Sequence, residues 1–241
     1  MAAQGHPYYP RDALIPGYAP NETPLLVILG LFGSIVFSFT VGSVVLAKRY
    51  NPGLRRADQL IVAWFALCGF LHLFFEGYFV LRHASLASSQ SLFAQVWKEY
   101  ALSDSRYLTS DPFMLCIETL TVLIWAPLSL TTAVLAARGR PREQGARHLL
   151  QALVSGGHLY GVALYYGTCA LAERLRGATY SRPEVVYYWG YYVGMNAPAA
   201  LAQREGDSGG FRGDREGGGG EEGEVTGEAE DEPLDTETDA V

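Results

Sequence analysis

His72 and Glu76 lie four residues apart inside IVAWFALCGFLHLFFEGYFVL, and Glu118 lies inside PFMLCIETLTVLIWAPLSLTTAVLAA. Apart from these three side chains, both stretches read as lipid-buried helix. An ionisable group at bilayer depth costs roughly 2.5–3.5 kcal/mol, so three of them in neighbouring spans mark a polar pocket inside a bundle. A four-residue spacing puts His72 and Glu76 on one helix face, within reach of a mutual hydrogen bond. A dry environment favours a neutral carboxyl, whereas a neighbouring imidazolium favours the carboxylate. Two carboxyls under such opposed pressures separate into a proton donor and a proton acceptor, which is the requirement of general acid–base chemistry. Buried polar glue between helices is the bland alternative, at about 0.6 kcal/mol per contact. Glue needs no acids, so the chemical reading is preferred. An iron site on His72 and two carboxylates lacks supporting spacing, and we expect no metal and no cofactor.

Other polar residues in the spans extend this picture. Glu118 shares a face with Thr121, a donor able to orient the carboxylate, and more loosely with Trp125. His158 belongs to a later apolar run and is either a satisfied interior histidine or a pocket residue. Ser155, Gly156, Gly157 and Gly161 are read as helix-packing residues. Cys68, Cys116 and Cys169 fall in three different runs and supply neither a disulfide framework nor a metal spacing, so they are expected to be buried core residues.

Five apolar runs of about 20 residues carry these groups: roughly 24–47, 59–81, 112–137, 148–172, and one beginning after Pro183. The expected fold is therefore all-α, a polytopic five-helix transmembrane bundle. Loop charge orients it. The 48–58 connection carries Lys48, Arg49, Arg55 and Arg56, and the 138–147 connection carries Arg138, Arg140, Arg142 and Arg147. The positive-inside rule places both in the cytosol, with the N-terminus lumenal and the C-terminus cytosolic. The sequon Asn21-Glu22-Thr23 would then be lumenal, but it abuts the first span, which argues against glycosylation there.

The net charge of −7 misleads if taken over the whole chain. Residues 202–241 hold 3 Arg against 14 acids and ten glycines, whereas the rest holds 15 Lys+Arg against 11 Asp+Glu. Such a tail is too poor in apolar surface to offset its ordering entropy and is expected to be disordered. Three segments follow: a lumenal N-terminal segment 1–23, a membrane domain 24–202, and an acidic tail 203–241. The N-terminal residues lack the basic stretch and apolar core of a cleaved signal peptide. Between the second and third spans, WKEYALSDSRYLTSDPF interleaves Lys98, Glu99, Asp104 and Arg106 with Trp97, Tyr100 and Tyr107. We expect an interfacial lid or re-entrant segment with internal ion pairs.

Five segments, in order, resemble the emopamil-binding protein family of sterol Δ8–Δ7 isomerases of the endoplasmic reticulum. They are WFALCGFLHLFFEGYFVL (64–81), WKEYALSDSRY (97–107), CIETLTVLIWAPLSL (116–130), HLYGVALYY (158–166) and YYWGYYVGMNA (187–197). The resemblance implies a five-helix membrane bundle that encloses a sterol and shifts a ring double bond without a cofactor. It also implies that His72, Glu76 and Glu118 match the catalytic residues, that Thr121 supports Glu118, and that Asn196 matches a fifth-helix amide. With Trp97, Tyr107, Trp125 and Trp189, these last two complete the substrate-binding set we assign. The expected partners are a sterol substrate, membrane lipid and at most a second copy in a homodimer, with no nucleic acid. One departure stands out. The family carries a tryptophan three positions beyond the asparagine, whereas this chain has Ala199, preceded by Pro198. The switch to Arg204-Glu205-Gly206 soon after leaves two explanations open, a transcript or gene-model error and a divergent, impaired or non-catalytic member; the alternative function is a non-catalytic protein of the same fold that binds sterols or amphiphilic amines. A proton-conducting bundle is a more distant alternative, disfavoured because no inverted repeat is visible.

Overall fold

The computed structural model describes residues 5–194, and within them every regular element is helical. The α-helices are α1 (Leu25–Tyr50), α2 (Arg56–Phe70), α3 (Gly77–Arg82), α4 (Leu92–Tyr100), α5 (Pro112–Leu120), α6 (Ala126–Arg138) and α7 (Gln144–Arg176). Two π-helical turns interrupt the second and third apolar runs: Leu71–Glu76 joins α2 to α3, and Thr121–Trp125 joins α5 to α6. A third π-helical stretch, Val186–Gly194, opens the fifth run. The acidic tail, Asn196, Pro198 and Ala199 lie outside the described residues.

Local chemistry sets several of the boundaries. Asp111 caps the third run by accepting hydrogen bonds from the Phe113 and Met114 amides at 3.0 and 3.1 Å, with Pro112 in the first helical position. The same run stops at Gly139, whose φ of 61° is left-handed, and α7 stops in the same way at Gly177 with φ 63°.

Three helical stretches are long and apolar enough to cross a membrane: Leu25–Tyr50, Arg56–Ser88 and Pro112–Arg138. The first of these has only 6% of its most apolar window buried, and Leu26, Phe37 and Leu46 stand outward. Such a face suits lipid and not water. Helix α7 reaches further than the 148–172 run, because Gln144 and Arg147 at one end and Glu173, Arg174 and Arg176 at the other continue the helix with polar residues. Its 33 residues span about 50 Å.

The chain's connections sort onto two ends. At one end the basic loops meet: Asn51 donates to the Ala137 carbonyl at 3.4 Å, and Arg147 pairs with Asp58 at 2.7 Å. At the other end the N-terminal segment folds over α4, where Tyr8 donates to the Lys98 carbonyl, Asn21 to the Gln95 carbonyl, and Lys98 to the Ala19 carbonyl. Residues 180–182 join that end through Ser105 and Leu102. The N-terminal segment, the 82–111 connection and the loop after α7 thus share one face, and the two basic loops share the opposite one. That arrangement is the alternation the charge pattern calls for.

Close packing brings the spans together at one small residue. A Cβ on Gly69 would lie 2.5 Å from the Leu130 side chain and 3.3 Å from its backbone nitrogen, so only glycine lets α2 approach α6 there. One cysteine differs from expectation. Cys68 is buried and Cys169 half-buried, but Cys116 faces outward, because a thiol is apolar enough to stand on the outer face of α5.

Candidate active site

The two π-helical turns flank the polar pocket. A π turn adds one residue to the helical circuit and leaves a carbonyl without its usual partner, a distortion that concentrates at functional sites. His72 and Glu76 both sit on the first turn, and Glu118 lies just before the second. The Phe75 carbonyl of the first turn accepts a hydrogen bond from Trp97 Nε1 at 2.9 Å, and the Trp97 indole stacks on the Phe75 ring at 4.2 Å. Trp97 is thereby buried behind the pocket wall and holds the distorted turn in place. It does not line the cavity, in contrast to its expected substrate contact.

His72 donates from Nδ1 to the Glu76 carboxylate at 2.8 Å, and its Nε2 lies 2.9 Å from His158 Nε2 on α7. The first bond places the Nδ1 hydrogen on His72, which leaves its Nε2 lone pair free to accept from His158. His158 is therefore a pocket residue. Glu118 is nearly inaccessible, and its Oε1 accepts a hydrogen bond from the Tyr107 hydroxyl at 2.9 Å. The Glu76 and Glu118 carboxyls also face each other within interaction range. Three spans and the lid thus converge on one charge cluster.

The donor to Glu118 differs from the expected one. Thr121 lines the cavity, but its hydroxyl donates to the Ile117 carbonyl at 2.9 Å, one helical turn back. The carboxyl takes its hydrogen bond from Tyr107 instead. Burial, and next the charge of Glu118, hold the Tyr107 phenol well above its ordinary pKa, so it remains a protonated donor. No spacing rule links a lid tyrosine to a carboxyl in the following span, so this pairing has no signature in the sequence.

The cavity has a volume of about 350 Å³. Glu76, Glu118, His72 and His158 line it, and the rest of the lining is mainly apolar and aromatic, with Trp64, Leu67, Met114, Ile117 and Trp125 among it. Trp125 owes its place to Gly157: a Cβ there would meet the indole ring at 2.5 Å. Gly156 and Gly161 have no such neighbour, and Gly161 lines the cavity instead of packing a helix pair. Tyr165 also lines it, with a buried hydroxyl that has no hydrogen-bond partner among the described residues. Trp189 is 62% exposed and lies away from this cavity. Asn196, the remaining expected contact, is outside the described residues.

The lid is pinned from within, as its mixed charges suggested. Asp104 and Arg106 form a fully buried pair at 2.6 Å, Arg106 donates to Thr168 of α7 at 2.9 Å, and its guanidinium lies over the rings of Phe113, Tyr165 and Tyr180. Desolvation opposes the guanidinium charge, but Asp104 more than compensates, and the Arg106 pKa rises above its usual value. Tyr107 follows directly, so the ion pair fixes the phenol that reaches Glu118.

A mainly apolar cavity lined by two carboxyls and two imidazoles, between helices apolar enough to cross a membrane, is a candidate site for an apolar ligand. Comparison with known proteins supplies the family. The family model described as EXPERA (EXPanded EBP superfamily) matches residues 92–202. The 3-beta-hydroxysteroid-Delta(8),Delta(7)-isomerase of Mus musculus is 39% identical over 197 residues, which cover 80% of this chain and 81% of the mouse protein. The protein of the same name from Cavia porcellus is 34% identical, covering 79% and 81%. A probable 3-beta-hydroxysteroid-Delta(8),Delta(7)-isomerase of Arabidopsis thaliana is 32% identical, covering 81% and 83%. This chain belongs to the emopamil-binding protein (EXPERA) family.

Proposed function

We propose that the protein is a sterol Δ8–Δ7 isomerase of the endoplasmic reticulum membrane, with His72, Glu76 and Glu118 as its proton-transfer residues. The observation that carries this reading is the convergence of the Glu76–His72 pair and the Tyr107-bound Glu118 on one apolar cavity. Relatives named for the same reaction support it.

The reaction needs one acid and one base. An acid protonates the ring alkene and leaves a tertiary carbocation; a base removes a proton from the adjacent ring carbon, and the double bond re-forms one position along. Atoms balance without redox, because one proton enters and one leaves. Two carboxylates cannot both stay charged side by side in a dry pocket, so one of them enters the cycle carrying a proton. The other, with His72, is the acceptor. The carboxylate also stabilises the carbocation electrostatically, and Trp125 and Trp64 offer π faces worth about 2 kcal/mol each when desolvated. His158 donates to the His72 Nε2 lone pair that the bond to Glu76 leaves free.

For topology, the loops 48–58 and 138–147 lie in the cytosol and the lid end faces the lumen, as the clustering of basic residues supports. The test of function is direct. Purified protein in detergent, given a Δ8-sterol in deuterated buffer, converts it to the Δ7 isomer with one solvent deuterium in the ring. Intact sterol binding with no conversion would instead support a non-catalytic sterol or amphiphilic-amine binder, the second reading that Ala199 in place of the family tryptophan favours.

A further inference from the structure

Outside the proton-transfer scheme, a second chemistry is built into the same cavity. Cys68 on α2, His72 one turn later and His158 on α7 bring one sulfur and two nitrogens within 4.8 Å of one another. All three side chains line the cavity. We infer that Cys68, His72 and His158 form a binding site for a thiophilic divalent cation, zinc by its donor set, with the fourth coordination position open to the cavity.

Four features make this more than a chance cluster. One thiolate and two imidazoles are the donors that zinc prefers over magnesium or calcium, and three protein ligands with one open position describe a reactive, not a structural, zinc site. His72 presents the correct nitrogen: its Nδ1 hydrogen is held by Glu76 at 2.8 Å, so Nε2 carries the lone pair and faces His158. A carboxylate behind the imidazole is the usual support of a metal-bound histidine. Finally, the ligands sit on two helical runs, Cys68 on α2 with His72 on the π turn that continues it and His158 on α7, and Cys68 and His72 are spaced one turn apart.

The distances are close to closed. Tetrahedral zinc holds nitrogen and sulfur donors roughly 3.3–3.9 Å apart. The two Nε2 atoms stand 2.9 Å apart, so they part slightly as the N–H···N bond gives way to two metal bonds. The sulfur moves inward by about 1 Å, within the range of its side-chain torsion. On binding, the Cys68 thiol releases its proton to solvent, and the hydrogen on His158 Nε2 is exchanged onto Nδ1, which frees the Nε2 lone pair to act as ligand. The metal then occupies the lone pair on which His72 depends for proton transfer. Zinc binding and isomerisation are therefore mutually exclusive; this exclusion rests on the proposed function, whereas the binding itself does not.

The full chain in detergent, stripped with chelator, is titrated with Co2+ as a spectroscopic probe and with Zn2+. The expected result is one equivalent bound, a thiolate-to-cobalt charge-transfer band, and a zinc X-ray absorption shell of one sulfur with nitrogens. Cys68→Ser abolishes the band, and Cys116→Ser and Cys169→Ser retain it. Glu76→Gln weakens zinc affinity by about 10–100-fold through loss of the supporting carboxylate. Magnesium does not compete. A wild-type chain with no bound equivalent, a zinc shell without sulfur, or a band that survives Cys68→Ser overturns the inference. The absorption shell is read on the unmodified protein, so a variant that fails to fold leaves the test intact. Turnover is measured in parallel. Activity without metal binding removes the site and keeps the isomerase; metal binding without activity does the reverse; and both together predict loss of turnover with zinc and recovery with chelator.

Discussion

Replacing Tyr107 by Phe isolates the single hydrogen bond that ties the lid to the acid. The phenol donates to Glu118 Oε1 at 2.9 Å, and both groups are buried. The ring itself packs against Trp97 at 4.6 Å and Phe79 at 5.2 Å, contacts that phenylalanine keeps. The lost interaction is thus the hydroxyl alone. A hydrogen bond to a charged group contributes about 1.5–3 kcal/mol, and each 1.36 kcal/mol is a factor of about ten in rate. If Tyr107 orients or charge-stabilises Glu118 in the transition state, kcat falls by roughly 10- to 150-fold. Sterol affinity, set by the apolar walls, changes little. The assay is conversion of a Δ8-sterol by the purified variant, with KM and kcat separated and ligand binding measured independently. A Tyr107→Phe protein with wild-type kcat, or one whose loss lies wholly in KM, would show that the lid does not act through Glu118.

Three further outcomes follow from the packing. Gly157→Ala drives a methyl into the Trp125 ring, which must leave the cavity wall; we expect a rise in sterol KM and a loss of about 1–3 kcal/mol in stability, read by ligand binding and thermal unfolding in detergent. Gly69→Ala meets both the side chain and the backbone of Leu130, so its cost of about 1–3 kcal/mol appears in unfolding with no selective change in turnover. Arg106→Met strands Asp104 in a site with no solvent, and about 3–5 kcal/mol of stability is lost; the double change with Asp104→Asn recovers much of it, as thermal unfolding of the two variants would show.

The site was legible in the sequence to the extent that its residues were local to one helix or chemically out of place. His72 and Glu76 revealed their contact because four residues make one turn, and Glu118 revealed itself because a carboxyl has no reason to lie in lipid. The partner of Glu118 was hidden. Tyr107 reaches it from a loop, and Thr121, three residues away and better placed by periodicity, bonds its own backbone instead. The π-helical turns were hidden as well, because they use the same residue types as the α-helix around them. Trp97 suggests a substrate contact by type, but its indole nitrogen donates to the Phe75 carbonyl of the π turn. Cys68 is buried as its apolar run implies, but nothing in the sequence shows that His158 on α7 lies beside it. The two basic connections meet at one end and the N-terminal segment meets the 82–111 connection at the other, the same grouping as in the loop charges.

The central claim is that Glu118 is a proton-transfer group, not a structural one. Glu118→Gln preserves shape and can still accept from Tyr107, but it cannot carry the proton. The account predicts that kcat for the Δ8 to Δ7 conversion falls by about 10²–10⁴-fold, while affinity for the neutral sterol stays unchanged. A Glu118→Gln protein that isomerises the sterol at the wild-type rate would contradict it.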